Sequence, residues 1–426
     1  MENILLGFAI IVGVIVVATI VNEKKLHFPH DIGLLILSTI FGMLLLISQK
    51  FEIPSGLVEV VSNIKFDSFL LECALGFIIF AGASKIRFNK FVSNIVPITF
   101  LALFSTIISS IAFGGLFYLI SICFSFKLDI WTCLLLGSLI SIVDSNIVTG
   151  ALAKLGLSKS TISVMEGESI LSDGSAVAIF VFAKGMITNG VGENFLFLIF
   201  KEIICALVVG YVVSFFLFKL IKMTNEPILH ILISLLDVSI SYVICEHFGF
   251  SGVIASMVCG MYFSYQMNKI SRWKEVVDSK NLYEDFWHVI EVLLNSILFV
   301  LVGFSIISMG ISSHIFILIP TAIVLNLISR CLGVSVSTMI LKKKKIPNRY
   351  SFKEFVMLLT WTGIKGGVSL ALVLTLKEIL PSESYLILLN STIIIILFTM
   401  IVQGLTAGKL YKYIEKMREK RIEAIS

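Results

Sequence analysis

Long apolar runs separated by short polar or charged breaks make up almost the whole chain. About 20 predominantly apolar residues cross a bilayer as a helix, and a helix satisfies its own backbone groups there. Thirteen such runs can be read, at 3–21, 32–48, 66–84, 94–120, 130–152, 160–185, 194–222, 227–246, 250–268, 286–304, 314–341, 353–376 and 384–407. The stretch 54–65 reads as an interfacial segment before the third run. The first run, Ile4 to Val21, follows a lone Glu2, with no basic region and no small-residue cleavage site. It is expected to be a retained helix and not a signal peptide. The fold class expected is an all-α polytopic membrane protein with thirteen transmembrane helices.

The basic residues orient these spans. With the C-terminus inside, 25 of the 33 Lys and Arg fall in cytoplasmic segments, 6 fall outside, and Arg330 and Lys365 lie within spans. So skewed a split fits the positive-inside rule only if the alternation is right along the whole chain. The expected location is the inner (plasma) membrane, with the N-terminus outside and the C-terminus cytoplasmic. Composition agrees: 57% hydrophobic and 14% charged residues, against about 45–50% and about 25% in soluble domains. Membrane lipid is therefore the expected surrounding. The net charge of +5 is no nucleic-acid signature, because the basic residues sit in short loops and a tail. That tail, 408–426, is expected to lie as a charged end on the inner leaflet. The seven Cys fall singly in or beside apolar runs and read as small buried hydrophobes. Gly-rich phosphate loops, a Ser/His/Asp order and zinc spacings are all missing from the sequence, so neither an enzyme nor a resident cofactor is expected.

Polar residues inside a span are expensive and mark pathways. The fifth span carries Ser141-Ile142-Val143-Asp144-Ser145-Asn146, and the twelfth carries Trp361-Thr362-Gly363-Ile364-Lys365-Gly366-Gly367. Small polar residues and clustered Gly weaken a helix at such points. The two breaks are seven spans apart, so their helices run in opposite directions, as in an inverted repeat with its site near the midplane. The repeats expected are roughly 1–185 and 227–407, joined by a linker helix at 194–222. Broken helices expose end charges, which Asp144 and Lys365 can neutralise; direct contact with a substrate is the alternative for both. The sixth span holds Met165-Glu166-Gly167-Glu168-Ser169-Ile170-Leu171-Ser172-Asp173-Gly174. Glu166, Ser169 and Asp173 share a face by helical spacing, with Ser172 adjoining. Asp173 falls at the centre of its span. Deprived of water, such a carboxylate holds either a proton or a hard monovalent cation, but not both, which is the minimal part of an exchanger. The plainer reading is a buried ion pair with Arg330 or Lys365, and for Glu168 the ion pair is favoured, because two buried cations need partners.

Three stretches resemble the monovalent cation–proton antiporters of the NhaP/NHE type: Leu134–Gly156, Met165–Phe182 and Trp361–Ala371. Phe80–Gly82, Phe286–Gly303 and Gln403–Thr406 support the likeness. The resemblance implies an NhaA/NhaP-like inverted repeat with two crossing broken helices, a mobile core and a dimerisation domain. It implies a homodimer exchanging sodium, potassium or lithium for protons by an elevator-like movement. Residue by residue, it makes Asp173 the ion- or proton-binding aspartate and Ser169 a hydroxyl ligand. Glu168 becomes the partner of a core arginine, and Asp144 the aspartate of the unwound helix. Five positions depart from the family pattern: Val143 and Ser145 replace the Thr and Pro of Thr-Asp-Pro around Asp144, Ser172 replaces Asn, Lys365 replaces Arg, and Ala81 replaces a Glu. A carbonyl at Val143 can still serve the ion. Asp237 is an extra acid in the eighth span, and Asn146 adds polarity beside the break.

Electroneutral one-for-one exchange is the expectation. The alternative is an altered antiporter scaffold acting as a gated ion leak, or as membrane effector or sensor of an assembly with a soluble partner on the basic loop 342–353. His27, His30 and Asp31 read as solvated residues of the first loop that can contribute to pH sensing. His288 reads as interfacial.

Overall fold

The computed structural model describes residues 2–50, 68–86, 88–124, 126, 128–190, 195–224, 226–270, 277–305, 315–341 and 350–423. The interfacial stretch at 54–65 and most of the basic loop 342–353 lie outside these residues. Among the described residues the regular structure is entirely helical.

The helices in order are α1 (Glu2–Val21), α2 (His30–Lys50), α3 (Ser68–Ser84), α4 (Ile95–Cys123), α5 (Ile130–Ser141), α6 (Asn146–Lys154), α7 (Lys159–Asn189) and α8 (Phe195–Ile221). They continue as α9 (Pro227–His247), α10 (Gly252–Ile270), α11 (Val277–Ser305), α12 (Ile315–Ile340), α13 (Phe352–Trp361), α14 (Gly367–Leu374), α15 (Ser382–Leu397) and α16 (Leu405–Glu423). Nine helices among the described residues are long and apolar enough to cross a membrane by themselves. The fifth and twelfth apolar runs are each split into two short helices, α5/α6 and α13/α14, at the clustered polar and Gly residues.

Local chemistry sets several boundaries. Asp129 accepts hydrogen bonds from the N–H groups of Trp131 and Thr132 at 3.1 and 3.3 Å and starts α5. Ser158 caps α7 through the N–H of Thr161 at 3.2 Å. Ser351 and Glu354 form a reciprocal capping box at α13, with Ser351 N–H donating to Glu354 Oε2 at 2.8 Å. Between α1 and α2 the chain turns through a π-helical turn and His27, whose φ of 57° is left-handed.

The helices sort into two packed groups. One contains α4 to α7 and α12 to α16; the other contains α1 to α3 and α8 to α11. The first group holds both broken pairs, α5/α6 packed with α4 and α7, and α13/α14 packed with α12 and α15. Gly137 lets α5 lie directly on α4, because a Cβ there would run into the backbone of Ser110 and Gly114. Such small-residue contacts replace hydrophobic driving force between helices in lipid. In the second group Trp287, Phe80, Phe263 and Tyr283 form an aromatic cluster. The Phe80 and Trp287 rings stand 4.3 Å apart, and Trp287 Nε1 donates to Ser234 Oγ at 3.0 Å.

The basic tail is helical and packed against the rest of the chain. Residues 405–423 continue the last span as helix α16, which docks on α13 and α6. Tyr411 and Ile414 are buried, Tyr350 OH donates to Glu415 at 3.2 Å, and Arg421 pairs with Glu354 at 3.4 Å. The apolar residues interspersed among the tail's charges explain this docking.

Candidate functional site

The two breaks cross and complete one another. After α5 the chain unwinds over Ile142, Val143 and Asp144, and after α13 it unwinds over Gly363 to Gly366. Interrupted helices leave N–H and C=O groups without partners. Here the N–H of Asp144 donates to Ile364 O at 2.7 Å, so one break serves the other. Ser369 Oγ on α14 donates to Leu139 O on α5 at 2.8 Å. From α7, Ser169 Oγ donates to Val143 O at 2.8 Å, and Ser145 Oγ donates back to Met165 O at 2.8 Å. The Asp144 carboxylate lies against Gly366, immediately before α14; a Cβ at 366 would come within 2.6 Å of Asp144 Oδ2. That location puts a negative group at a helix N-terminus, where backbone N–H groups favour it.

Asp144, Ser169, Asp173 and Val143 line a cavity of about 40 Å³. Gly366, Glu291 and Asn295 complete its polar wall. The space suits a few waters or a partly dehydrated small cation. Beside it opens a cavity of about 920 Å³, and Gly82, Ile170 and Glu291 line both. Glu166 lies on the wall of the large cavity and Asp173 on that of the small one. One face of α7 therefore runs from the wide cavity into the narrow one, following the spacing read from the sequence.

Other residues fall elsewhere. Ser172 is buried, donates to Ser169 O at 2.8 Å and does not line the cavity. Its hydroxyl is turned onto its own helix, a local bond open to any serine in a helix. Glu168 pairs with Arg330 at 2.7 Å, both side chains being buried. Arg330 also donates to Ser105 Oγ at 3.3 Å, in a π-helical turn of α4, and to Leu359 O at 3.4 Å at the end of α13. Lys365 is buried in the electrostatic field of Arg330 and Glu168, and its N–H donates to Thr399 Oγ1 at 3.1 Å. Among the described residues Asp173 forms no ion pair with Arg330 or Lys365. Asp237 is in the other helix group, buried on α9 and accepting from Ser214 Oγ at 2.7 Å. Asn146 opens α6, and its side chain lies outside the described ones.

Glu291 is a site residue that sequence reasoning passed over. It pairs with Lys85 at the end of α3, and Lys85 Nζ donates to His288 Nδ1 at 3.0 Å. The available signal was the spacing of His288, Glu291 and Asn295 on one face of a span. His288 also lines the wide cavity. His30 and Asp31 are similarly drawn in. They open α2, with His30 Nε2 3.3 Å from Ser296 Oγ and Asp31 in the field of Glu291, Lys85 and His288.

The chain matches the family model described as sodium/hydrogen exchanger, transmembrane, over residues 11–412. It is 28% identical to the Na(+)/H(+) antiporter NhaP of Pseudomonas aeruginosa, over 93% of each chain. It is 30% identical to the Na(+)/H(+) antiporter NhaG of Bacillus atrophaeus, over 90% of this chain and 70% of that one. Among solved structures, the sodium proton antiporter MjNhaP1 from Methanocaldococcus jannaschii superposes with a TM-score of 0.78. The superposition covers 96% of this chain and 99% of that one at 18% sequence identity, and shows a shared fold.

Proposed function

The chain belongs to the sodium/hydrogen exchanger family of membrane proteins, and from that premise we propose that it exchanges a monovalent cation, sodium first, for a proton at Asp173. The observation that carries this reading is the small cavity where Asp173, Ser169 and Asp144 meet beside two crossed helix breaks. A dehydrated carboxylate must be neutralised, and the cavity has room for a small cation or, with a proton on Asp173, for water. Binding of one excludes the other, which couples their movements. Asp144 and the Val143 carbonyl supply oxygen on one side, and Ser169 supplies it on the other. The Glu168–Arg330 pair and Lys365 fix the charge balance of the core beneath. With one such carboxylate cycling, exchange is one for one and electroneutral.

The thirteen spans, with the N-terminus outside and the C-terminus cytoplasmic in the inner membrane, follow from the distribution of basic residues. On that orientation the wide cavity opens to the cytoplasm, since Lys85 and Lys159 border it. The helix group containing both breaks is the moving core. The group containing α1 to α3 and α8 to α11 is the scaffold through which two copies associate as a homodimer.

Proteoliposomes bearing a pH gradient test the reading. Addition of sodium, lithium or potassium should collapse the gradient, read by a pH-sensitive dye, without net current. Asp173→Asn should abolish this while leaving the protein folded. Unchanged exchange in that variant would end the proposal. Current that follows the cation gradient without proton counterflow would instead favour an altered scaffold acting as a leak.

A further inference from the structure

Glu291 stands where the wide cavity meets the narrow one, on the wall of both. It is 9% exposed and belongs to α11, outside the helices that carry the two breaks. Its charge is answered by the ammonium of Lys85, which projects from the end of α3 and is 37% exposed. The same ammonium donates to His288 Nδ1 at 3.0 Å, one helical turn from Glu291 on α11. An ammonium donates only, so that ring nitrogen is the acceptor. Lys85 therefore has a second resting place when it leaves the carboxylate. Asn295, one turn further along α11, adds an amide oxygen or N–H on the inner side of Glu291, in the small cavity with Asp173. The surroundings of the wide cavity are acidic, with Glu166, Glu284 and Asp285 against Lys159. Such a field concentrates cations.

We propose that Glu291 is an outer binding site for the transported monovalent cation, and that the Lys85 ammonium is its tethered competitor. The inference rests on the exchange reading above and adds a step to it. A cation entering from the wide cavity displaces Lys85 from Glu291 towards His288. It then passes, by Asn295, to Asp173. Lys85 returns behind it and restores neutrality at the throat. An ammonium and an alkali cation carry the same charge, so the carboxylate is never left bare and never doubly neutralised. A purely structural ion pair would bind α3 to α11 and have no bearing on cation affinity.

The two roles separate in the sign of the affinity change. At fixed pH, sodium is titrated against wild type, Lys85→Gln, Glu291→Gln and the double variant. Two readouts are taken: dye-reported exchange in proteoliposomes, and the sodium dependence of the melting temperature in detergent. Lys85→Gln should lower the half-saturating sodium concentration roughly fivefold, the scale of a part-exposed ion pair. Glu291→Gln should raise it, and the double variant should match Glu291→Gln alone, because the competitor matters only while the carboxylate is present. Lys85→Arg and Glu291→Asp, which keep both charges, should stay near wild type. Shifts of the same sign in the two single variants, additive effects in the double, or unmoved midpoints would overturn the proposal. So would a wild-type melting temperature indifferent to sodium, lithium and potassium. Should wild type bind sodium but not exchange it, the exchange reading fails, while the melting-temperature midpoints still decide the outer site.

Discussion

Glu168 and Arg330 meet at 2.7 Å in the core, with Lys365 in their electrostatic field. Removing one member of a buried pair leaves an uncompensated charge and costs about 3–5 kcal/mol. Glu168→Gln should therefore lower the thermal unfolding midpoint in detergent sharply, and the double variant Glu168→Leu/Arg330→Met should recover much of the loss. A double variant as unstable as the single would show that the pair is not what holds this region. At Gly366 the argument is steric. An added methyl would meet the Asp144 carboxylate at 2.6 Å, so Gly366→Ala should reduce exchange strongly. Gly115→Ala, where a Cβ meets nothing within 4 Å, serves as control and should be nearly neutral. Asp173 and Ser169 were legible because polar residues at helical spacing stand out against an apolar span. Glu291 was not, because one acid in a span reads as an interfacial residue until its partner is known, and Lys85 is some 200 positions away in sequence.

Helices were legible where apolar runs are long and uninterrupted, and their ends where a capping side chain is present. Ser351 and Glu354 mark the start of α13 in this way. Ser351→Ala should cost about 1 kcal/mol and register as a small drop in melting temperature. The two breaks were visible as clusters of Gly and small polar residues. Their mutual hydrogen bond, Asp144 N–H to Ile364 O, was not, because backbone pairing between segments so distant leaves no side-chain pattern. Close helix contact is likewise silent in a span that has many small residues. At Gly137, where a side chain would enter the backbone of α4, Gly137→Leu should destabilise by roughly 1–3 kcal/mol or abolish accumulation in the membrane. Gly13→Leu on α1, which faces open space, should do neither.

On the scale of the molecule, the seven-span offset of the two breaks led to the expectation of an inverted repeat. It did not foretell that both broken pairs pack in one group, since an apolar helix face suits lipid and protein alike. The contacts between groups are few enough to be tested as a sliding surface. A Cβ on Gly174 of α7 would lie 3.0 Å from the Met257 sulfur of α10, across that surface. Cysteines at both positions, in a background lacking the native ones, should stop exchange on oxidation and release it on reduction. Exchange that continues through a completed cross-link would exclude relative movement of the two groups at this contact. Helix α16 adds a consequence of its own. Trp361, at the edge of one break, donates from Nε1 to Thr406 Oγ1 at 2.9 Å, while Gly408 abuts Leu155 just beyond α6. One helix thereby touches both interrupted helices. Loss of the Trp361–Thr406 hydrogen bond, in Thr406→Val, therefore removes one of the points at which this last helix meets the interrupted pairs.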